Sequence, residues 1–200
     1  MFENLVALIN QAIPGANATV VKFGDVGDSA ILVSKECILP VCKLLKGHPD
    51  YCFNVLQAVT ACDFLGKDDQ PGHIEVSYVL ASFIKNLEVM IKLRLARGDA
   101  NQLPEVDSVV SVWSAADFLE RECYDMLGIK FVGHPDFRRI LCPQDWEGYP
   151  LRRDYVAQTV YREMAVYPAH KLNVLDQGFG ITTKADNKSE DAPMKEGRYH

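Results

Sequence analysis

Apolar positions along the first half of the chain switch between two periods. Residues 2–13 place Phe2, Leu5, Leu8/Ile9 and Ala12/Ile13 at helical spacing, and Pro14-Gly15 ends the run, which predicts an N-terminal helix. Thr19–Phe23 and Ala30–Val33 are short β-branched runs that predict two strands around a turn over Gly24–Asp28. Ser34 is placed to cap a helix running to about Lys46; Gly47-His48-Pro49 stops it, and Pro40 distorts its first turns. Three longer apolar runs follow, Cys52–Asp63, Ile74–Ile84 and Val89–Ala96. The last two are joined by the tight Lys85-Asn86-Leu87-Glu88 and read as a hairpin. After a loop over Arg97–Ser108, Val109–Val112 reads as a short strand. Ser114 and Asp117 then form a capping-box-like start for a helix over Ala115–Leu127, stopped by Gly128.

Periodicity fades beyond Phe131. The stretch Gly133–Tyr155 is dense in Pro, Gly, Arg, Asp and aromatics, which suggests irregular structure held by ion pairs. The expected fold is α+β: a mainly antiparallel sheet with helices packed on one face, plus an irregular Arg-rich segment and an extended C-terminal tail. The expected division is an α+β domain over 1–130, an irregular interface segment and arm over 131–181, and a mobile tail over 182–200. From Tyr155 through 156–181, Tyr155, Tyr161, Val166, Tyr167, Leu172, Val174, Leu175, Phe179 and Ile181 are spaced too widely to build a core. They suit an arm laid on a neighbouring protein, the alternative being that 156–181 folds back on its own domain.

Composition narrows the function more than the fold. With 21 Lys+Arg against 27 Asp+Glu the net charge is −6, which argues against a general affinity for phosphate backbones and so against nucleic acid as a partner. A membrane-spanning helix needs about 20 consecutive apolar residues, and runs such as Ile38–Cys42 are far shorter. Glu3 and Asn4 stand where a secretory signal carries Lys or Arg, so the chain is expected to stay in the cytoplasm with its 6 cysteines reduced.

Candidate chemistry is sparse. The glycines at 24 and 27 lack a Gly-x-Gly-x-x-Gly or Gly-Lys-Ser/Thr context, so nothing cradles a phosphate. No Cys-x-x-Cys occurs, and the histidines at 48, 73, 134, 170 and 200 show no paired ligand spacing. Cys123 falls on the apolar stripe of its helix, where a thiol is a poor nucleophile. The polar side of that helix carries Asp117, Glu120, Arg121, Glu122 and Asp125. Arg138-Arg139 and Arg152-Arg153 then bracket a loop with Asp145, Trp146, Glu147 and Asp154. Such Arg- and aromatic-rich density fits either a solvated face or a protein interface. Glu120 and Glu122, two apart on a helix, do not face each other and make a poor acid/base pair.

Residues 113–129 (Trp-Ser-Ala-Ala-Asp-Phe-Leu-Glu-Arg-Glu-Cys-Tyr-Asp-Met-Leu-Gly-Ile), with Phe131–Leu141 and Gly148–Tyr155, closely resemble the signature of the thirty-kilodalton subunit family of NADH-quinone oxidoreductase, respiratory complex I. Thr60–Phe64 and Ile74–Leu80 extend the resemblance to roughly 30–155. It implies a protein without a cofactor of its own, in a complex that carries electrons from NADH through FMN and iron–sulfur clusters to quinone and pumps protons. It implies packing against the large quinone-site subunit and neighbouring iron–sulfur subunits, peripherally on the cytoplasmic face of the cell membrane, with membrane contact only through partners. The motif residues expected at subunit interfaces are Glu120, Arg121, Glu122, Asp125, His134, Pro135, Asp136, Arg138, Arg139, Gly148, Pro150, Arg152, Arg153 and Asp154; no catalytic, cofactor or metal residue is expected. Arg153 replaces the family's usual Lys, which keeps the charge and allows bidentate pairing. Two alternatives stay open: the homologous subunit of a membrane-bound hydrogenase or related dehydrogenase, and a stand-alone α+β binding module.

Overall fold

In the computed structural model, which describes residues 1–22, 29–66, 71–98 and 102–166, the strand alternation sorts the sheet into two faces. The elements of the first half are helix α1 (Phe2–Ala12), strands β1 (Thr19–Lys22) and β2 (Ser29–Leu32), a single 3-10 turn (Lys35–Cys37) and helix α2 (Ile38–Gly47). Three ten-residue strands follow, β3 (Val55–Phe64), β4 (His73–Ser82) and β5 (Leu87–Ala96). Then come β6 (Glu105–Asp107), α3 (Ala116–Leu127) and β7 (Lys130–Val132). The glycine turn expected over 24–28, part of the 66–72 linker, and the arm and tail beyond Val166 lie outside the described residues.

The sheet has the order β1-β2-β5-β4-β3. Its pairings are antiparallel except β2–β5, where Ile31 meets Ile91 and Leu32 meets Lys92 in parallel. One face lines up Val59, Tyr78 and Ile91, with Ala61, Val76 and Leu93 in the next row, and all three helices turn their apolar stripes into the same core. Leu5 and Ile9 come from α1, Ile38, Val41, Cys42 and Leu45 from α2, and Ala116, Cys123 and Leu127 from α3. The α+β fold with helices on one face is thus the observed one. Asn10 joins α1 to the sheet: its amide donates to the Ala18 carbonyl at 3.0 Å and accepts the Ala18 N–H at 2.8 Å.

Several local expectations need correction. Val109–Val112 is a turn, and the strand lies a few residues earlier, at β6, paired in parallel with β7. Val109 and Val112 are apolar because they enter the core, not because they extend a ladder. Ser114 makes no side-chain cap to α3, and only its carbonyl is used, by the Asp117 N–H at 3.2 Å. The first of the three long strands, β3, begins only at Val55 and not at Cys52, which takes a left-handed φ of 47°. Gly128 does end α3 as expected, with φ 67° and its N–H donated to the Tyr124 carbonyl.

By residue contacts the chain divides into Met1–Trp146 and Glu147–His200. In the described part of the second unit, β8 (Val160–Tyr161) and β9 (Met164–Ala165) make a small antiparallel hairpin. Its two turn residues, Arg162 (φ 45°) and Glu163 (φ 66°), hold the positive φ values of a turn usually built from Asn-Gly.

On the sheet face away from the helices, Lys92 and Glu75 form a buried ion pair at 2.5 Å, with the more exposed Arg94 at 3.4 Å from the other carboxylate oxygen. Replacing Lys92 by Met leaves that carboxylate with the longer Arg94 contact. The change is expected to lower the unfolding free energy by about 3 kcal/mol, whereas Glu75→Leu with Lys92→Met is expected to be neutral or stabilising. Urea denaturation of the three chains measures both effects, and equal losses in the single and double variants would contradict this account.

Candidate functional site

The charged helix α3 gains its geometry from where its carboxylates fall around the axis. Glu120 and Asp125 are fully buried, Glu122 is exposed, and Asp117 lies between these extremes. Glu120 accepts the Ser108 hydroxyl at 2.6 Å and the Val109 N–H at 2.8 Å, so it ties α3 to the chain just after β6. No cation bonds to it among the described residues. Burial pushes its acid up to about 7, against the pull of its two hydrogen bonds and with a further push from Asp117.

Asp125 is the opposite case. One carboxylate oxygen accepts three successive backbone N–H groups, from Ile140 (3.0 Å), Leu141 (2.6 Å) and Cys142 (2.8 Å), and the other accepts Arg139 Nη1 at 3.0 Å. Burial alone raises an acid, but these donors outweigh it and hold Asp125 below the ordinary carboxylate value. The loop after β7 therefore has no regular ladder, yet its N–H groups are satisfied by one side chain from the helix.

The preceding residues form a second knot. The His134 ring is buried: its Nδ1 accepts the Asp136 N–H at 3.1 Å, so Nε2 carries the proton and faces the Asp117 carbonyl at 3.1 Å. Arg121 donates through Nε to the Arg138 carbonyl at 3.1 Å, and its guanidinium lies 5.2 Å from the ring centre of Phe118. Arg138 grips Asp136 in a bidentate pair at 2.7 and 2.6 Å while itself lying exposed. That pairing, first through Arg138, holds the Asp136 acid below its usual value. Phe137 packs on Tyr124 with centroids 4.2 Å apart.

The structure thus brings Arg121, Asp125, His134, Asp136, Arg138 and Arg139 together as an intramolecular frame between α3 and the 133–142 loop, while Glu120 anchors the same helix to Ser108 and Val109. Glu122 and Pro135 lie exposed beside it. Glu120 and Asp125 spend acceptors inside the chain, on the Ser108–Val109 segment and on the 139–142 loop respectively. The other candidates fall in the second unit. There Gly148 takes φ 76° and a side chain on it would meet the Tyr155 ring at 3.2 Å. Arg152 is buried with its guanidinium 5.2 Å from the Tyr149 ring centre, Pro150 is half-buried, and Arg153 and Asp154 are exposed. Sequence reasoning missed Ser108, Val109 and the N–H groups of 140–142. Backbone donors carry no residue signature.

This arrangement positions a loop and offers no poised nucleophile. Burial pushes the Cys123 thiol up to about 12 and Cys42 higher still. No group of three His, Cys, Asp or Glu side chains is placed to hold a metal ion among the described residues. No helix of the described residues is long and apolar enough to cross a membrane.

Comparison with known proteins places this α+β domain and its α3–loop frame among the subunits of respiratory membrane complexes. The model of the family "Respiratory-chain NADH dehydrogenase, 30 Kd subunit" matches residues 31–161, and the chain belongs to that family. It is 42% identical over 137 residues to the C subunit of NADH-quinone oxidoreductase from Geotalea uraniireducens, covering 68% of this chain and 78% of the relative. It is 39% identical over 163 residues to the same subunit from Citrifermentans bemidjiense, covering 82% and 96%. A chain of the membrane-bound sulfane sulfur reductase, an archaeal respiratory membrane complex, shares the fold with a TM-score of 0.59 at 24% identity, over 76% of this chain and 84% of that one. Membership makes this chain part of a multi-subunit respiratory complex, whose other subunits are its partners.

Two outcomes follow from the buried carboxylates of α3. Glu120 binds its proton more tightly folded than unfolded, so stability rises as pH falls from above about 7 toward 4.5. Asp125 binds its proton less tightly folded, so its contribution is intact above its ordinary value of 3.8 and is lost as pH falls through the lower folded value. Urea midpoints across this range are expected to peak on the acid side of neutrality. Glu120→Gln, whose amide oxygen can still accept the Val109 N–H and whose NH2 can donate to Ser108 Oγ in place of accepting from it, should flatten the limb near neutral pH, and an unchanged slope there would sink the assignment. Asp125→Ala should cost about 2–4 kcal/mol, since it removes the acceptor of three loop N–H groups and of Arg139 Nη1.

Proposed function

We propose that this chain is a cofactor-free structural and assembly subunit in the peripheral arm of a proton-translocating NADH-quinone oxidoreductase. In that complex electrons pass from NADH through FMN and iron–sulfur clusters, carried by other subunits, to quinone. The chain sits on the cytoplasmic face of the membrane and packs against the large quinone-site subunit and neighbouring iron–sulfur subunits. The observation that carries the reading is the family motif's own geometry. Its buried acids are consumed in shaping two segments, Glu120 the chain after β6 and Asp125 the 133–142 loop, which leaves Glu122, Pro135 and Arg138 on the outside. A rigid loop with Arg138 and Leu141 at its surface, together with the exposed Phe118 of α3, has the composition of a docking face. Arg153, Asp154, Gly148 and Pro150 belong to the same proposal for the second unit. A homologous subunit of a hydrogenase or related dehydrogenase complex is the second reading, because the fold is shared with an archaeal respiratory complex of a different kind.

Purification of the chain tagged at its own locus, followed by mass spectrometry, separates these. Flavoprotein and iron–sulfur subunits of an NADH dehydrogenase are expected; recovery of the chain alone, or with hydrogenase subunits, would overturn the reading. The purified chain by itself is expected to be colourless and not to oxidise NADH. Arg138→Ala is expected to lower the amount of assembled complex while leaving the chain's unfolding midpoint and the turnover per assembled complex unchanged. Arg139→Ala, by contrast, should destabilise the chain itself, because its guanidinium is buried against Asp125. Normal assembly with abolished turnover in Arg138→Ala would contradict a docking role.

A further inference from the structure

The largest apolar exposure among the described residues is not on the motif. Phe83 and Ile84, adjacent in the chain, are 73% and 70% exposed at the tip of the β4–β5 hairpin. Surface turns ordinarily take Gly, Asn, Asp or Ser, because these meet the backbone's needs and are comfortable in water. Here the backbone needs are met from outside the two apolar positions. Asn54 Oδ1 accepts the Phe83 N–H at 3.4 Å, Ser82 Oγ accepts the Lys85 N–H at 3.3 Å, and Asn86 takes the left-handed φ of 51° that closes the turn onto the Ser82–Leu87 pair. Among the described residues the Phe83 and Ile84 side chains therefore have no structural task, and they are presented on a pinned turn. An apolar pair that costs solubility and contributes nothing to its own core marks a contact site, and its rigidity lowers the entropy lost on docking.

We propose that the Phe83-Ile84 tip is an anchor that inserts into an apolar socket, with a carboxylate at its rim, on another subunit of the same respiratory complex. The inference rests on the subunit reading above. The carboxylate is implied by Lys85, which lies exposed beside the tip and makes no ion pair within the described residues. A protein socket fits better than a lipid surface for two reasons. The wedge is only two side chains, ringed by the exposed polar Asn54, Asn86 and Glu88, which is little apolar area to hold a protein in a bilayer. The chain's net charge of −6 is also repelled by anionic headgroups. Buried apolar anchors at the centre of a well-fitted pocket are the kind of contact that dominates a protein interface.

The test uses the assembled complex. A photo-crosslinking phenylalanine analogue placed at position 83 in cells is expected to join this chain to a peptide of one other subunit, located by mass spectrometry. Phe83→Ser with Ile84→Ser is expected to lower the fraction of the chain found in assembled complex about tenfold or more, with the soluble amount of the chain unchanged. Lys85→Glu should give a smaller loss in the same direction. Crosslinks to lipid alone would overturn the proposal in favour of a membrane contact. Full assembly of the double Ser variant would overturn it whether or not a crosslink forms. Failure of the unmodified chain to co-purify with any subunit would instead strike the subunit reading, so the two failures are told apart.

Discussion

Backbone N–H groups that leave regular structure must still find acceptors, and in this protein one carboxylate meets that demand for a whole loop. Asp125, near the end of α3, gathers the N–H groups of 140, 141 and 142 and then the guanidinium of Arg139. Without it the segment after β7 would have to stay hydrated or find a ladder, and a hydrated loop has no fixed surface. Glu120 does the equivalent on the other side of the helix for the chain after β6. The helix is thus less a packing element than a rod with two acidic hooks, and the shape of 108–113 and 133–142 depends on them.

These hooks explain an apparent mismatch between charge and role. Read as a string, α3 and the residues after it form a charge-rich surface. In three dimensions the charge divides by depth. Glu120, Asp125 and Arg139 work inside, and Arg138, Glu122 and Arg153 meet solvent. A family motif dense in acids and arginines can therefore serve a protein interface indirectly, by fixing the backbone from which a few outer side chains project.

Much of the sheet and its helices could be read from periodicity, because β3–β5 are long β-branched runs and α1 and α2 carry one apolar stripe each. The sequence spacing also foretold that Glu120 and Glu122 point to different sides of α3. The errors cluster where the deciding interaction is tertiary. Val109–Val112 is as β-branched as a strand, but its N–H groups serve Glu120 and a turn, and the nearby Glu105–Asp107, poor in strand formers, pairs because β7 lies alongside. The Arg162-Glu163 turn has none of the usual turn residues. At the site, the residue types of the frame were legible and its partners were not, since half of them are backbone atoms.

The single parallel pairing in the main sheet also sets the order in which the fold can be completed. β2 meets its neighbour β5 only after β3 and β4 have intervened in the chain. The segment from α1 through α2 thus has no central strand to lie on until the β3–β4–β5 meander exists. During synthesis those N-terminal residues emerge first and wait. Leu5, Ile9, Ile31 and Ile38, all sealed in the finished core, stay open to solvent through that interval. The newborn chain exposes most of this apolar surface before β5 is released, the interval in which aggregation competes with folding.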